Sequence, residues 1–484
     1  MPALEQSRPD ERPLYVRVAG SFESQIQNRS LKPGDKLPSV RDLSRRLGIS
    51  TATAVAAYGW LERHGAIHAR PQSGHYVAAR PPSVPEPRTE TRTHPPASVS
   101  IGELVLEVQK TARDTRFAPF GEAVVSPELL PAARLNRSVR MVTAAFPQHA
   151  TIYEAPAGNP RLRRQIARLA YRLSCTFSPE DVIVTSGAIE ALNLAIRAVA
   201  SPGDVVGVES PVCYEILQAL ESFGVKALAI PARPRLGPDL AELERAFRKH
   251  KIKCFLMSGS FQNPLGYLLP DPAKADIVAL AGRLRLPIIE DDAFGDVAFS
   301  PQRPRPLKSF DRTGGVLYCA TYSHVVAPGF HIGWIHPGRF RARVEALKGI
   351  TTTATPSLPQ LALAEFLESG AYERHLRKLN EVLFQSTRML GAAVAEHFPE
   401  GTRTTLPDGG FFLWVQLPGN ISGFKLYQAA LGERIAIVPG MIFSPHKQFR
   451  DCVRLSCGWP WSDQAESAVR KMGQLAERLL RSKG

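Results

Sequence analysis

Two histidines, His324 and His331, stand in the stretch Thr321-Tyr322-Ser323-His324-Val325-Val326-Ala327-Pro328-Gly329-Phe330-His331-Ile332-Gly333-Trp334. It follows the apolar run Val316-Leu317-Tyr318-Cys319-Ala320, which reads as a buried strand. An imidazole carries a charge that depends on pH near neutrality. It has no primary amine, so it cannot bond to a carbonyl carbon as a lysine does. A second stretch, Thr185-Ser186-Gly187-Ala188-Ile189-Glu190-Ala191-Leu192, passes from a strand into a helix. The start of that helix offers free N–H groups to a phosphate. Asp291, in Ile288-Ile289-Glu290-Asp291-Asp292-Ala293-Phe294, and Arg454, in Cys452-Val453-Arg454-Leu455-Ser456-Cys457-Gly458, say little singly. An aspartate at a strand end is usually a cap, and an arginine is usually a surface charge.

The elements that must position these residues follow from periodicity. Apolar strands are expected at Val182–Thr185, Val205–Val208, Ala227–Ile230, Cys254–Met257, Pro287–Ile289 and Val316–Ala320, several separated by helical stretches. This alternation predicts an α/β sheet with helices on both faces. Beyond about residue 345 come long amphipathic helices and strands at Gly410–Leu417 and Val453–Ser456, which suggest a smaller second lobe.

The first 80 residues read differently. Val18, Phe22 and Ile26 lie at helical spacing over 14–27. After the breaker-rich Leu31-Lys32-Pro33-Gly34-Asp35-Lys36-Leu37-Pro38, Ser39 reads as an N-cap with Asp42 as its capping-box partner. That helix, Val40–Leu47, ends at Gly48. Ser50 caps a third helix running to about residue 64, with Val55, Tyr58 and Leu61 expected on one buried face. Ile67–Arg70, a Pro-Gln-Ser-Gly turn and His75–Ala78 form a hairpin. Three helices and a hairpin in this order make a winged helix-turn-helix. The third helix would be the recognition helix, with Thr51, Ala52 and Thr53 nearest the base edges. These small residues can meet a thymine methyl or a phosphate but cannot make bidentate guanine contacts. Arg41, Arg45 and Arg46 suit phosphates, and Arg70, Gln72, Ser73 and Gly74 belong to the wing. With the caps Ser39 and Ser50, these residues are the expected DNA-facing set.

At 484 residues the chain is long enough for two or three cores. Its net charge of +15 favours a polyanionic partner or an anionic ligand. The six cysteines show no metal-ligand spacing and read as buried thiols of a reducing cytoplasm. No apolar run is long enough to span a membrane, and the N-terminus lacks a signal peptide's apolar stretch. Residues 81–100, with six prolines, should be an extended and flexible linker between the winged helix (1–80) and the larger domain (101–484).

Two resemblances sharpen these expectations. Leu31–Ser50 followed by Thr51–Val77 closely resembles the GntR-family DNA-binding domain. Residues after 101 resemble fold-type I aminotransferases of class I, and the whole chain resembles the MocR group of GntR-family regulators. The resemblance implies a pyridoxal 5'-phosphate (PLP) site and a homodimer. Tyr153 matches the tyrosine that reaches the cofactor phosphate from the other subunit. Ser186, Gly187 and Ala188 form the phosphate turn. Asn263 lies near the cofactor phenolate oxygen, Asp291 holds the pyridine nitrogen protonated, and Thr321 and Ser323 keep the serine pattern of the anchoring segment. Arg454 matches the arginine that pairs with a substrate carboxylate, a bidentate task suited to guanidinium.

The departures fall at the chemistry. His324 replaces the cofactor-binding lysine, and His331 replaces the phosphate-binding arginine. Phe294 replaces a tyrosine, and Cys213 stands where an aromatic stacks on the pyridine ring. The expected function is a DNA-binding transcriptional regulator whose aminotransferase-like domain dimerises and senses a small anionic effector. Covalent PLP chemistry would be lost and no residue would be catalytic. The alternatives are an aminotransferase or a PLP-responsive regulator, holding PLP without a lysine at 324 and with Lys308 or Lys348 assisting.

Overall fold

The computed structural model describes residues 14–482 except 29, 33, 64, 65, 71, 72, 78–83, 90–92 and 420. They fall into two compact units that divide between Ser83 and Val84.

In the first unit the helices are α1 (Leu14–Gln27), α2 (Val40–Leu47) and α3 (Thr51–Arg63). They are followed by the antiparallel hairpin β1 (Ile67–Arg70) and β2 (Gly74–Val77). The caps are those expected. Ser39 Oγ accepts the Asp42 N–H at 3.1 Å and donates to its carboxylate at 2.7 Å. Gly48, at φ 62°, ends α2 in the left-handed conformation that glycine adopts without strain. Ser50 Oγ accepts the Thr53 N–H at 3.0 Å.

Phe22 of α1 meets Tyr58 of α3 edge-on at 5.8 Å, over a core of Val18, Leu43, Ala54, Ala57 and Leu61. Val55 departs from expectation: it is 55% exposed. Ala54 and Ala57 are fully buried and let the helices approach closely, so the buried stripe centres on them and turns Val55 outward.

In the second unit the strands in chain order begin with β3 (Ala97–Ser98), β4 (Ala118–Pro119), β5 (Ile183–Ser186) and β6 (Val205–Ser210). There follow β7 (Lys226–Arg233), β8 (Gly237–Pro238), β9 (Ile252–Met257), β10 (Ile288–Asp291), β11 (Val316–Thr321) and β12 (Ile332–His336). The main sheet runs β3-β7-β6-β9-β10-β11-β12-β5, with β8 paired to β7. Strands β5, β6, β7, β9, β10 and β11 run one way, while β12 lies antiparallel between β11 and β5. Their buried residues are apolar nearly throughout, as a sheet covered on both faces requires. This order brings the C-terminal ends of β5, β6, β10 and β11 to one edge of the sheet. Ligands of open α/β sheets bind outside such ends.

The smaller lobe holds a second antiparallel sheet: β13 (Arg403–Thr404), β14 (Phe412–Gln416), β17 (Cys452–Ser456) and β16 (Val438–Pro439). A short strand β15 (Ile435–Ala436) pairs with β4. The long helices Ala371–His397 and Asp463–Arg481 pack in this lobe.

The expectation of a flexible stretch over 81–100 does not hold for its described second part. The Pro85 carbonyl accepts from Thr404 N–H at 3.0 Å, and Arg88 N–H donates to Gln416 at 2.8 Å. Thr93 donates to Glu242 at 2.6 Å. Ala97–Ser98 adds β3 to the sheet edge beside β7. A proline-rich chain is extended before it docks, so it loses little entropy, and an open sheet edge supplies the partners its backbone needs. No described helix is long and apolar enough to cross a membrane.

Candidate functional site

The helix Gly187–Val199 starts where β5 ends. Gly187 has φ +74°, and a β-carbon there would collide with His331 Nε2. His331, itself at φ 50° just before β12, therefore lies over the helix start. The family resemblance assigns phosphate binding to these two positions. Glu190, one turn into the helix, reaches back to accept the Ser186 N–H at 2.5 Å. Lys348, wholly buried, holds the same carboxylate at 3.0 and 3.2 Å and also donates to Thr355 at 3.1 Å. One of the turn's N–H groups is thus already satisfied by an anion of the protein.

At the ends of β10 and β11 stand Asp291, Thr321, Ser323 and His324. Thr321 Oγ1 accepts the Ser323 N–H at 3.0 Å and lies 2.9 Å from Ser323 Oγ, which fixes the turn. The His324 ring stacks on Phe294, with centroids 4.5 Å apart and planes 21° apart. Phe294 in turn meets Phe411 and Phe412 edge-on. Burial pushes the His324 imidazole down to about 4, opposed by a hydrogen bond to the Ala123 backbone and helped by the neighbouring His331. His324 is neutral at physiological pH. Burial pushes the Asp291 carboxyl up to about 7, helped by the nearby charges of Asp292 and Glu215 and opposed by the Ala293 N–H.

Arg454 projects from β17 of the smaller lobe and is fully buried. Its guanidinium donates to the Gly121 carbonyl at 2.7 Å and to Asn263 Oδ1 at 3.2 Å. The rings of Tyr214, Phe412 and Phe443 surround it at 5.5–5.9 Å. Among the described residues, none of its hydrogen-bond partners is a carboxylate, and Arg454 Nε and Ser456 Oγ are buried without a hydrogen-bond partner. Asn263 continues the chain, donating to Cys213 Sγ at 3.1 Å, and the Cys213 thiol donates to Glu215 at 2.5 Å. Burial, followed by Glu215, pushes that thiol well up, so it stays protonated.

Of the expected site residues, Ser186, Gly187, Ala188, His331, Asp291, Phe294, Thr321, Ser323 and His324 collect around the strand ends. Cys213, Asn263 and Arg454 form one hydrogen-bonded series. Tyr153 stands apart, 87% exposed on the surface of its own chain. Lys308 caps the opposite end of β11, holding Asp311 at 2.9 Å and the Val316 carbonyl at 3.0 Å.

Sequence reasoning missed Glu190, Glu215, Ser456 and the carbonyls of Gly121 and Ala123. Ser456 could have been found, since residues two apart on a strand share a face. The carbonyls leave no mark in side-chain identity.

In the first unit, Ser39, Arg41, Arg45, Arg46, Ser50, Thr51, Ala52 and Gly74 are exposed and Thr53 is half-buried. Ser73 Oγ lies 2.6 Å from Tyr76 Oη in the hairpin. Gln72 lies outside the described residues, and of Arg70 only the backbone is described.

Comparisons with known proteins agree with both units. The family model for aminotransferase class I and II matches residues 126–470, and that for bacterial regulatory proteins of the gntR family matches 14–77. The chain is 37% identical to the HTH-type transcriptional regulator YdcR of Escherichia coli (strain K12), covering 96% of this chain and 99% of that protein. It is 33% identical to YjiR of the same organism, again covering 96% and 99%. Among solved structures, LysN, the alpha-aminoadipate aminotransferase of Thermus thermophilus, superposes with a TM-score of 0.72 at 26% identity. That match covers 79% of this chain and all of LysN.

Proposed function

Since the chain belongs to the aminotransferase class I and II family and carries a gntR-family regulatory domain, we propose that it is an effector-sensing transcriptional regulator. The winged helix binds duplex DNA. The aminotransferase-like unit pairs two copies and takes up a small ligand that bears a carboxylate.

The observation that carries the ligand is Arg454. A buried guanidinium normally has an anion beside it, because an uncompensated buried charge is costly. Among the described residues, Arg454 has a carbonyl and an amide oxygen instead, and its Nε has no hydrogen-bond partner. A carboxylate entering here would replace the Gly121 carbonyl and reach Nε as well, the two-point geometry that guanidinium favours. Ser456 Oγ, on the same face of β17, would be a further donor.

Aminotransferase relatives work with PLP, which supplies an electron sink when bound. The donors in this chain do not fit a covalently held PLP. The imidazole of His324 lacks the amine and is packed against Phe294. The fully buried Lys348 is engaged by Glu190, and Lys308 is held at the far end of β11. Glu190 at the phosphate turn further disfavours a second anion.

A thermal-shift screen of the full chain with amino acids, keto acids and phosphorylated metabolites tests this reading. A carboxylate ligand raises the melting temperature, and the shift disappears in Arg454→Met. If no compound stabilises the wild-type chain, the C-terminal unit serves pairing alone.

A further inference from the structure

Among the described residues, Thr51, Ala52 and Val55 on the outward side of the first turns of α3 offer no side chain able to make a hydrogen-bonding fork. Thr51 and Ala52 are exposed at its start, and Val55, one turn on, is 55% exposed. Residues 51, 52 and 55 fall within about 100° of arc on one side of the helix. The Ser50 and Thr53 hydroxyls are tied to each other at 2.8 Å, and Ser50 is further occupied as the cap. An exposed β-branched side chain on a short helix has no role in the core of its own unit, which Ala54, Ala57, Tyr58 and Leu61 fill.

We infer that Val55, with Ala52 and the Thr51 methyl, reads the operator through thymine 5-methyl groups in the major groove. This inference rests on the DNA-binding reading above and adds how bases are chosen. Three observations favour DNA as the occupant of this apolar face. It sits on the recognition helix of a winged helix-turn-helix. The preceding helix carries the exposed arginines Arg41, Arg45 and Arg46, complementary to phosphates. The major groove presents one apolar group among its base edges, the thymine methyl, whereas guanine and adenine are read by Arg, Asn or Gln forks that Thr51, Ala52 and Val55 do not supply. Val55 thus acts as a specificity-determining residue by shape and apolar contact.

The test starts from the tightest duplex selected by the full chain from a randomised library. That duplex is compared with one in which uracil replaces thymine, so that only the methyl groups are absent. Burying one methyl is worth ~0.8 kcal/mol, about fourfold in affinity. The wild-type chain should therefore bind the uracil duplex about fourfold more weakly for each contacted thymine. Val55→Ala, a surface change that leaves the melting temperature unaltered, should bind the thymine duplex more weakly and lose most of its preference over uracil. Equal binding of both duplexes by the wild-type chain would overturn the inference, and so would an undiminished thymine preference in Val55→Ala. If selection yields no duplex bound above background, the DNA-binding reading fails with it, an outcome distinct from equal binding of thymine and uracil.

Discussion

Arg41, Arg45 and Arg46 lie exposed along α2, whereas Arg454 lies fully buried on β17. The first three have their surface open to an outside partner; Arg45 has only a loose ion pair with Asp42 at 3.6 Å. Arg454 has drawn two oxygens of its own chain around it. His324 and Ser186 do likewise, the one with Phe294 and the Ala123 carbonyl, the other with Glu190. On the proposed reading, a large polyanion supplies most of the counter-charge to these three arginines. Arg454 and Ser186 have instead engaged oxygens of their own chain, so on the proposed reading a ligand would displace an internal partner.

The largest effect should come from breaking the open side of this contrast. Replacing Arg41, Arg45 and Arg46 together by Ala should weaken DNA binding by about two orders of magnitude at moderate salt. It should also lower the slope of log affinity against log salt by about one for each phosphate that is no longer neutralised. Electrophoretic mobility or anisotropy titrations at several salt concentrations measure both. An unchanged slope would remove these arginines from the interface.

Next in size is the closed side. Gly187→Ala forces a β-carbon onto His331 at a positive φ and should cost about 2–3 kcal/mol of stability in denaturant unfolding. In a His331→Ala background the same change should cost only about 1 kcal/mol, the backbone share alone. Equal costs in both backgrounds would show that His331 does not sit over the turn.

The smallest effect is a pH dependence with two opposing parts. His324 titrates at about 4 in the folded chain, below its ordinary value of 6.5. Between those values the unfolded chain binds more protons, so this group makes stability rise with pH. Asp291 titrates at about 7 when folded, above its ordinary 3.8. Over that window the folded chain binds more protons, so this group makes stability fall as pH rises. Each slope is at most about 1.4 kcal/mol per pH unit, and they nearly cancel from about pH 4 to 6.5. Asp291→Asn should therefore uncover a gain in stability with rising pH across that range, and His324→Phe a loss. Melting curves across that range provide the check.

Much of this was legible in the sequence, for identifiable reasons. Caps such as Ser39 with Asp42, and the strand before Thr321, are written in local residue order, so the elements follow from it. The polar positions at strand ends could be assigned because their order along the chain resembles a known pattern. Three features were hidden. Val55 has the identity of a core residue and is turned outward only by the packing of Ala54 and Ala57. The second part of the proline-rich stretch is held by Thr404, Gln416 and Glu242, partners that lie far away in the chain. The partners of Arg454 and His324 include backbone carbonyls, which every residue has and no sequence marks.

This unit keeps an aminotransferase fold, and the proposed reading holds that no cofactor is covalently attached to it. An absorption spectrum of the purified full chain, before and after adding PLP and after borohydride treatment, tests it most directly. The account predicts a colourless protein, no long-wavelength band belonging to protein-bound PLP, and no reduced lysine adduct by peptide mass. A yellow protein, or a lysine that borohydride fixes to the cofactor, would contradict it.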